Sequence, residues 1–475
     1  MNAQIVKLFG LVVVLFALLI TWTTRWAVID ATALNHNPLN SRTIITQLRI
    51  KRGRILAGNG VVLAKPIPKG HREWGRAYPQ GPLYAQTVGY WTGQSGNAAG
   101  LEVSANKYLT PTQTGLNSVF GPLGGNQTIG NDLYTTLDPK AQQVAEQGLA
   151  GRVGSVVALD PRTGAVLAMY SNPSYNPNHP NAPCSDSCQL DRATQGQYPP
   201  GSTFKIVTTT AAINSGKFTP NSIINGDSPK LISGVPLQND YNQSFGPITF
   251  TKALTYSVNT VFAQVAQDVG RKTMTQYMKR FGFYSRPPID LPADEVYPSI
   301  VVSPSGKPFS PGSPNEDIGR IGFGQGGLAV TPLQMAMVAA AVAHGGKLMT
   351  PHLVDRVVDQ TGRTVHTIQP TVYRNVMTPA TASEITLMMR AVVDEGTGTP
   401  AQLGNNIPFA GKTGTASKGP AGSNETQPWF IGFAPANAPK VAVAVTIETT
   451  NGQFGGQVAA PIAKNVVQTL LSEGK

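Results

Sequence analysis

Cysteine is nearly absent from this chain, and its two copies, Cys184 and Cys188, lie together in a polar loop. A tetrahedral structural zinc site needs four nitrogen or sulfur ligands, and no pair of histidines stands nearby to complete one. We therefore predict no metal site, and nothing in the sequence calls for a cofactor. The other interpretation of the pair is a Cys184–Cys188 disulfide, which an exported location would permit.

Charged residues are also scarce, at 13% of the chain, and acidic ones are the scarcer kind. Lysine and arginine number 37 against 25 acidic residues, so the net charge is +12. No cluster of lysine and arginine with interleaved aromatic residues stands out, which argues against a nucleic-acid partner. The excess positive charge instead favours proximity to anionic lipid or to an anionic wall polymer.

Long apolar runs are absent with one exception, residues 8–24, which contain no charge. As a helix this run would rise roughly 25 Å, close to the hydrocarbon thickness of a bilayer. Trp22 and Trp26 stand where interfacial aromatic residues occur, and Lys7 favours a cytoplasmic amino terminus. Arg25 on the other side weakens that asymmetry.

A cleaved signal peptide is the alternative, because Ala31-Thr32-Ala33 has the small-x-small form of a cleavage site. The apolar run is long for a signal peptide. We therefore predict an uncleaved, single-pass anchor in the cell membrane, with the rest of the chain on the extracytoplasmic side.

The sequence pattern changes once after the anchor. The first stretch is irregular, with a strand, an Asn-Gly turn and a second strand over residues 52–64. Asp138 and Pro139 then form a helix N-cap and a first helical residue. We predict three units: a short cytoplasmic end and membrane helix over residues 1–34, an irregular, β-rich module without catalytic residues over 35–137, and a large α+β domain over 138–475.

The last unit is predicted to hold a central antiparallel sheet flanked by helices. Apolar runs at 155–159 and 165–169 enclose turn residues and predict a buried hairpin, and residues 441–447 predict another strand. Three further helices are predicted: one from the capping box of Thr331 and Gln334 to Gly345-Gly346, one from Thr378 to Gly396, and a closing helix from about Pro461.

One short stretch, Pro199-Pro200-Gly201-Ser202-Thr203-Phe204-Lys205, leads into an apolar helix. Ser202 should fall in its first turn, and Ser202 and Lys205 would share one face. Serine is a nucleophile at neutral pH only beside a base, and a lysine whose pKa is lowered by burial can be that base. A lone Ser-x-x-Lys is nevertheless more often a solvated helix face, so further motifs must decide.

Two further motifs follow in order. Ser257 and Asn259 place a hydroxyl and an amide two residues apart, which means little alone. In the strand-like Lys412-Thr413-Gly414-Thr415, Lys412 and Gly414 would point to one face and the two threonines to the other. Gly414 would let the strand approach a helix or a ligand closely.

Ser-x-x-Lys, Ser-x-Asn and Lys-Thr-Gly in this order resemble the motifs of penicillin-binding proteins and serine β-lactamases. Gly324-Gln325-Gly326 and Trp429-Phe430-Ile431-Gly432 are similar to class B penicillin-binding proteins. Upstream, residues 52–60 and Gly100-Leu101-Glu102 resemble the pedestal, or dimerisation-type, module of that class. The resemblance covers nearly the whole chain after the anchor and is greatest to the penicillin-binding protein A group of actinobacteria.

The resemblance implies a serine-type peptidoglycan D,D-transpeptidase that cross-links stem peptides through an acyl-enzyme and is acylated by β-lactam antibiotics. Ser202 would attack the carbonyl of the penultimate D-alanine, with Lys205 as its base. Ser257 would relay a proton to the leaving amine, and Asn259 would hold Lys205 and the substrate amide. Desolvation and the charge of Lys412 would lower the pKa of Lys205.

The resemblance also implies how the substrate is held. Lys412, Thr413, Gly414 and Thr415 would receive its terminal carboxylate, to which charge-assisted hydrogen bonds are strong. Backbone N–H groups of Ser202 and Thr415 would form the oxyanion hole. No metal or cofactor is implied.

The chain departs from the family pattern at two positions. Val258 stands where other branches carry aspartate, which is ordinary for class B. Asp191-Arg192-Ala193 stands where asparagine is expected before Arg-Ala.

Two other functions are compatible with part of this pattern. A membrane-anchored β-lactamase or β-lactam sensor would share the nucleophile, but neither requires a pedestal. A non-catalytic scaffold for wall assembly would not need all three motifs intact.

A further partner is implied by what the region before Asp138 holds. That region is too short and irregular for a glycosyltransferase domain beside the pedestal. The resemblance therefore implies a polytopic glycan polymerase of the shape, elongation, division and sporulation family as partner.

Overall fold

The structure is a computed structural model that describes residues 3–30, 47–70, 73–94, 97–110, 129–184, 187–417 and 423–474. Its first helix, α1 (Ala3–Thr24), continues into a π-helical segment, Arg25–Ile29, and none of these 27 residues is buried. Within the described ranges this is the one helix long and apolar enough to cross a membrane. The boundary at residue 34 and the Ala31-Thr32-Ala33 motif lie outside the described residues.

The other α-helices are single turns in the first part of the chain and longer after residue 138. In chain order they are α2 (Ala85–Val88), α3 (Leu101–Ser104), α4 (Asn106–Leu109), α5 (Pro139–Leu149), α6 (Lys205–Asn214), α7 (Phe250–Thr255), α8 (Asn259–Val269), α9 (Arg271–Arg280), α10 (Ile318–Gly322), α11 (Pro332–Ala343), α12 (Pro379–Asp394) and α13 (Gly455–Ser472).

The strands form two larger sheets and several two-stranded ribbons. In chain order they are β1 (Ile55–Leu56), β2 (Val62–Gly70), β3 (Glu73–Ala77), β4 (Asp132–Thr135), β5 (Gly154–Leu159), β6 (Val166–Asn172), β7 (Ile223–Asn225), β8 (Lys230–Ile232), β9 (Val235–Leu237), β10 (Pro247–Thr249), β11 (Ile300–Val301), β12 (Leu328–Ala329), β13 (Lys347–Met349), β14 (Val354–Val358), β15 (Thr364–Thr367), β16 (Val372–Asn375), β17 (Ala410–Ser417), β18 (Glu425–Ala434), β19 (Val441–Ile447) and β20 (Thr450–Asn451).

The central sheet has the order β17-β18-β19-β5-β6 and is antiparallel throughout. Every residue of β19 is buried, so both faces of the sheet are covered. Helices α5 and α13 pack against each other and the sheet, while α11 packs on β18, β19 and β5. The predicted α+β architecture and the β5–β6 hairpin are confirmed. Strand β17 is left at the edge of the sheet.

A second sheet, the pedestal sheet, has the order β15-β14-β4-β1-β2-β3. Its β1–β2 pair is the predicted hairpin over residues 52–64. Strands β14 and β15 come from beyond residue 138, and β14 pairs antiparallel with β4. The later part of the chain therefore covers an edge that β4 would otherwise expose. The predicted domain boundary at residue 137 does not anticipate this pairing.

A buried ionic cluster holds the pedestal together. Glu102 accepts hydrogen bonds from Arg52 at 2.9 Å and from Arg76 at 2.5 Å, and all three side chains are almost fully buried. Arg52 also stacks on Trp91, 4.8 Å from the ring centroid. Because both arginines share this one carboxylate, losing Glu102 would leave two buried positive charges without their partner, which is costly. Arg52 and Glu102, which the family resemblance had singled out, are thus in direct contact.

The helix caps follow the sequence with two corrections. Asp138 accepts from Ala141 N at 3.0 Å, as expected of an N-cap. Thr331 likewise accepts from Gln334 N at 3.2 Å. A capping box also requires the Gln334 side chain to accept the N–H of Thr331, and that part of the prediction is wrong. The Gln334 side chain donates to Phe281 O instead, because Ser299 Oγ accepts the Thr331 N–H.

The closing helix was expected from about Pro461, but it begins at Gly455. The Gln457 side chain accepts the N–H of Phe454 at 2.9 Å and caps the amino end of the helix there. Pro461 lies inside the helix, where it removes one backbone hydrogen bond without ending the helix.

Candidate active site

Ser202 lies in a 3-10 turn, Gly201–Phe204, that leads directly into α6. Gly201 has φ +52°, and a Cβ on it would lie 2.8 Å from the backbone of Thr415. Only glycine therefore lets this turn approach strand β17 so closely. Trp429 Nε1 donates to Pro199 O at 2.9 Å and fixes the chain as it enters the turn.

Lys205 is completely buried beneath Ser202. Its Nζ donates to Ser257 O at 2.8 Å, to Ser257 Oγ at 3.1 Å and to Asn259 Oδ1 at 2.7 Å. Burial, and then the charge of Lys412, hold the pKa of Lys205 well below its usual range. Among the described contacts no hydrogen bond joins Lys205 to Ser202 Oγ, so the amine is held by the second motif.

Ser257 is the meeting point of the three motifs. Its Oγ accepts from Lys205 Nζ and, at 3.0 Å, from Lys412 Nζ. Two donors occupy both oxygen lone pairs, so the hydroxyl proton of Ser257 has to point elsewhere. Ser257 also has φ +60°, a conformation that costs energy for a residue with a side chain and that clusters at functional sites.

Lys412 lies on β17 and is completely buried. Its Nζ donates to Thr413 O at 2.8 Å as well as to Ser257. Burial lowers the pKa of Lys412 to about 7, and Asp240 acts in the opposite direction. The two lysines therefore share one hydroxyl, and the charge of Lys412 disfavours the charged form of Lys205.

Thr413, Gly414 and Thr415 line a cavity of about 310 Å³ together with Ser202 and Ser257. A Cβ on Gly414 would lie 2.8 Å from the carbonyl oxygen of Pro200, so β17 does approach the serine turn as closely as Gly414 led us to expect. Lys205, Lys412 and Asn259 are not among the lining residues and support the cavity from behind.

Three features of the cavity were missed in the sequence. Asp240 accepts from Asn259 Nδ2 at 3.2 Å and raises the pKa of both lysines, against their burial. Tyr241 packs against Phe454 with the rings tilted by 37° and their centroids 5.6 Å apart, joining the two walls. Thr397 shares a 2.6 Å hydrogen bond with Thr413. No local pattern marks Asp240, whereas the glycine-rich run before β17 could have drawn attention to Thr397.

Asp191, the unexpected residue before Arg192-Ala193, has a clear structural role. Its carboxylate accepts from Ser171 Oγ at 2.7 Å, Ala193 N at 2.9 Å and Thr194 Oγ1 at 2.9 Å. Burial raises its pKa despite these bonds. Asp191 thus links β6 to the turn that precedes the Ser202 stretch.

The two cysteines are joined in a disulfide with Cα atoms 6.1 Å apart. Cys188 is buried, and its carbonyl accepts from Gln86 Nε2 in α2 at 2.9 Å. The cysteine loop therefore contacts the pedestal as well as the approach to Ser202.

An antiparallel sheet whose edge strand faces a Ser-x-x-Lys turn is the architecture of the penicillin-recognising serine enzymes, and this chain has it. More narrowly, residues 154–468 match the penicillin binding protein transpeptidase domain, and residues 52–132 match the penicillin binding protein A dimerisation domain. The chain belongs to the penicillin-binding protein transpeptidase family.

Known proteins resemble the chain over its length. The peptidoglycan D,D-transpeptidase PbpA of Mycolicibacterium smegmatis is 32% identical over 100% of both chains. The ceftriaxone acyl-enzyme of penicillin-binding protein A from M. tuberculosis is 29% identical, with a TM-score of 0.79 over 90% of this chain and 100% of that chain. A D,D-transpeptidase domain from Eggerthella lenta is 33% identical, with a TM-score of 0.75 over 90% of this chain and 99% of that chain.

Proposed function

We propose that this protein is a peptidoglycan D,D-transpeptidase in which Ser202 forms the acyl-enzyme. One observation carries the proposal: two completely buried lysines donate to the single hydroxyl of Ser257, beside the Ser202 turn. Burying two ammonium groups with only the charge of Asp240 to offset them is costly, so the arrangement has a chemical use rather than a structural one. A neutral amine and a mobile hydroxyl proton are what acyl transfer needs.

In acylation, Ser202 Oγ attacks the carbonyl carbon of the penultimate D-alanine and loses its proton to the neutral amine of Lys205. The C–N bond then breaks, and the leaving D-alanine amine takes the hydroxyl proton of Ser257. Lys205 passes the proton it gained to Ser257 Oγ across their 3.1 Å contact, which restores both groups. Asn259 holds Lys205 in register for this exchange.

Transfer to the second stem peptide reverses the sequence. The acceptor amine attacks the Ser202 ester and gives up its proton through Ser257 and Lys205. The C–O bond then breaks and Ser202 Oγ takes the proton back. The product is a new amide bond, and no metal or cofactor takes part in any of these steps.

Strand β17 is proposed to hold the substrate. As an edge strand it has backbone groups free for an extended peptide to pair with. The charge of Lys412, with Thr413, Gly414 and Thr415, would receive the terminal carboxylate. The N–H groups of Ser202 and Thr415 would bind the developing oxyanion, since Gly201 brings those backbones together.

Intact mass after exposure to penicillin tests the nucleophile. One adduct is expected in the wild type and in Ser305→Ala, a matched control in an exposed turn. The adduct should be absent in Ser202→Ala and form far more slowly in Lys205→Ala. An adduct that persists in Ser202→Ala would show that another residue is the nucleophile.

The lifetime of that adduct separates a transpeptidase from a β-lactamase. Asp240 is the one acid that lines the described cavity, and its carboxylate is held by Asn259. We therefore expect the penicilloyl-enzyme to last many minutes, because no glutamate is among the described residues that line the cavity and could activate a water. Rapid turnover of penicillin would instead identify a β-lactamase.

We further propose that α1 anchors the chain once in the cell membrane, with the pedestal (35–137) and the catalytic domain (138–475) outside. Because α1 is exposed all round, it is also the proposed contact for a polytopic glycan polymerase, together with the pedestal. Replacing the first 30 residues by an unrelated anchor should preserve acylation while reducing co-purification with the polymerase. Unchanged co-purification and cross-linking in cells would show that α1 is only a tether.

A further inference from the structure

A groove of about 1080 Å³ lies along α9, away from the serine site. Asn214, at the carboxyl end of α6, donates to Tyr277 of α9, whereas Ser202 precedes the amino end of α6. The ten residues of α6 alone span about 15 Å. The groove and the serine site are therefore at opposite ends of this helix.

Among the residues that the structure describes, the groove is lined by cationic side chains and by no acidic ones. Its charged lining residues are Arg271, Lys272, Lys279, Arg280 and Arg374. None of the five takes part in an ion pair in the part of the chain that the structure describes. Five positive charges around one concave surface, none of them in an ion pair, concentrate a positive potential there.

Two of the arginines are held in place by neutral acceptors. Arg271 donates to Ser313 O at 2.7 Å, and Arg374 donates to Lys279 O at 2.9 Å. Backbone carbonyls fix the positions of these guanidinium groups without cancelling their charge. The Nε of Arg374 is buried and has no partner among the described residues. The groove is therefore built in advance for an anion.

Two buried side chains affect the charge and polarity of the groove. Glu316 is only 2% exposed and interacts electrostatically with Arg271, so it offsets at most one of the five charges. Thr275 lines the groove, is 8% exposed, and its Oγ1 has no hydrogen-bond partner among the described residues. A buried hydroxyl without a partner is costly, and a bound anion would supply the missing acceptor.

We propose that this groove binds a phosphorylated anion, either a soluble phosphate or pyrophosphate group or the headgroup of an anionic lipid. A phosphate group carries up to two charges and offers several oxygens, which suits forked guanidinium donors, lysines and a hydroxyl together. A single carboxylate could engage only a small part of this lining. The inference does not rest on the proposed transpeptidase activity.

Calorimetry on the full chain in phosphatidylcholine nanodiscs, with pyrophosphate as probe at about 150 mM salt, tests the proposal. The groove variant is Lys272→Glu/Lys279→Glu, which changes two exposed lysines. Its matched control, Lys252→Glu/Lys307→Glu, changes two exposed lysines outside the groove by the same net charge. Penicillin acylation at the wild-type rate shows that each variant is folded.

We expect pyrophosphate binding to weaken about tenfold or more in the groove variant and less than about twofold in the control. Succinate should bind far more weakly than pyrophosphate. Equal losses in the two variants, no binding by the wild type, or equal binding of succinate would each overturn the proposal.

Nanodiscs that contain phosphatidylglycerol distinguish the two sources of phosphate. If pyrophosphate binding falls in these discs, lipid headgroups occupy the groove; if it is unchanged, the groove takes a soluble phosphate. If the groove variant fails to fold, Thr275→Val provides the test instead. This substitution should weaken pyrophosphate binding about threefold or more without lowering the free energy of unfolding. Unchanged pyrophosphate binding would refute the site.

Discussion

Gly414→Ala tests whether β17 and the serine turn must touch for acylation. The new Cβ would lie 2.8 Å from Pro200 O and Thr203 Cγ2 and 3.0 Å from Thr203 N. Ordinary contacts begin near 3.4 Å. The strand and the turn would therefore have to separate by about 0.5 Å to restore ordinary contact distances. Such overpacking costs about 1–3 kcal/mol of unfolding free energy.

The same displacement would move the N–H of Thr415 away from the oxyanion position set by Ser202. We expect the second-order rate constant for acylation by penicillin to fall about tenfold to a hundredfold. Time-resolved intact mass gives that constant, and urea unfolding gives the stability. Gly404→Ala is the matched control, because the nearest atom to its Cβ is 3.8 Å away and its φ is negative. A wild-type acylation rate in Gly414→Ala would refute the idea that this contact sets the geometry.

Three further predictions concern charge and the disulfide. Because the pKa of Lys412 is about 7, Lys412 loses its charge above that pH. The rate of acylation should therefore fall on the alkaline side. An acylation rate that still rises to pH 9 would contradict the role of Lys412 in carboxylate binding. Burial raises the pKa of Glu295 to about 7, although Gly100 N donates to it at 3.0 Å. The folded chain then binds more protons than the unfolded chain between about pH 4.5 and 7. The free energy of unfolding should therefore fall as pH rises through that window. In urea titrations, Glu295→Gln should reduce this loss of stability. Cys184→Ser should cost at most about 2 kcal/mol of stability, since the Cys184–Cys188 loop is short. The substitution should leave acylation intact. Detection of two free thiols in the exported wild type would rule the disulfide out.

The features predicted well are those encoded by neighbouring residues. Asp138 caps α5, the β5–β6 hairpin follows its turn residues, and Gly414 marks a close approach of backbones. The order of three motifs was enough to bring Ser202, Lys205, Ser257 and Lys412 to one place, because the family resemblance supplied the long-range contacts that spacing alone does not contain.

The features that were missed depend on partners distant in sequence. Asp240 lies 19 residues from Asn259, in a polar loop that resembles any surface turn. Gln334 has the spacing of a capping box but finds Phe281 O, 53 residues away, a better acceptor for its amide. Likewise, nothing in the hairpin β14–β15 shows that its partner is β4, more than 200 residues earlier.

The path of the chain through β14 and β15 links the pedestal to the catalytic cleft. This hairpin leaves the catalytic domain after α11, which packs on β18 and β19, and returns to α12, which packs on β17 and α6. Strand β17 carries Lys412, and α6 carries Lys205. The paired strands β13 and β16 lie between this hairpin and the two helices, so the pedestal sheet is joined through them to helices that contact the elements holding both lysines. Packed interfaces of this kind move as units rather than deforming freely. The contact between β17 and the serine turn, which Gly414→Ala would strain from within, is therefore joined to the pedestal by a continuous path of packed elements.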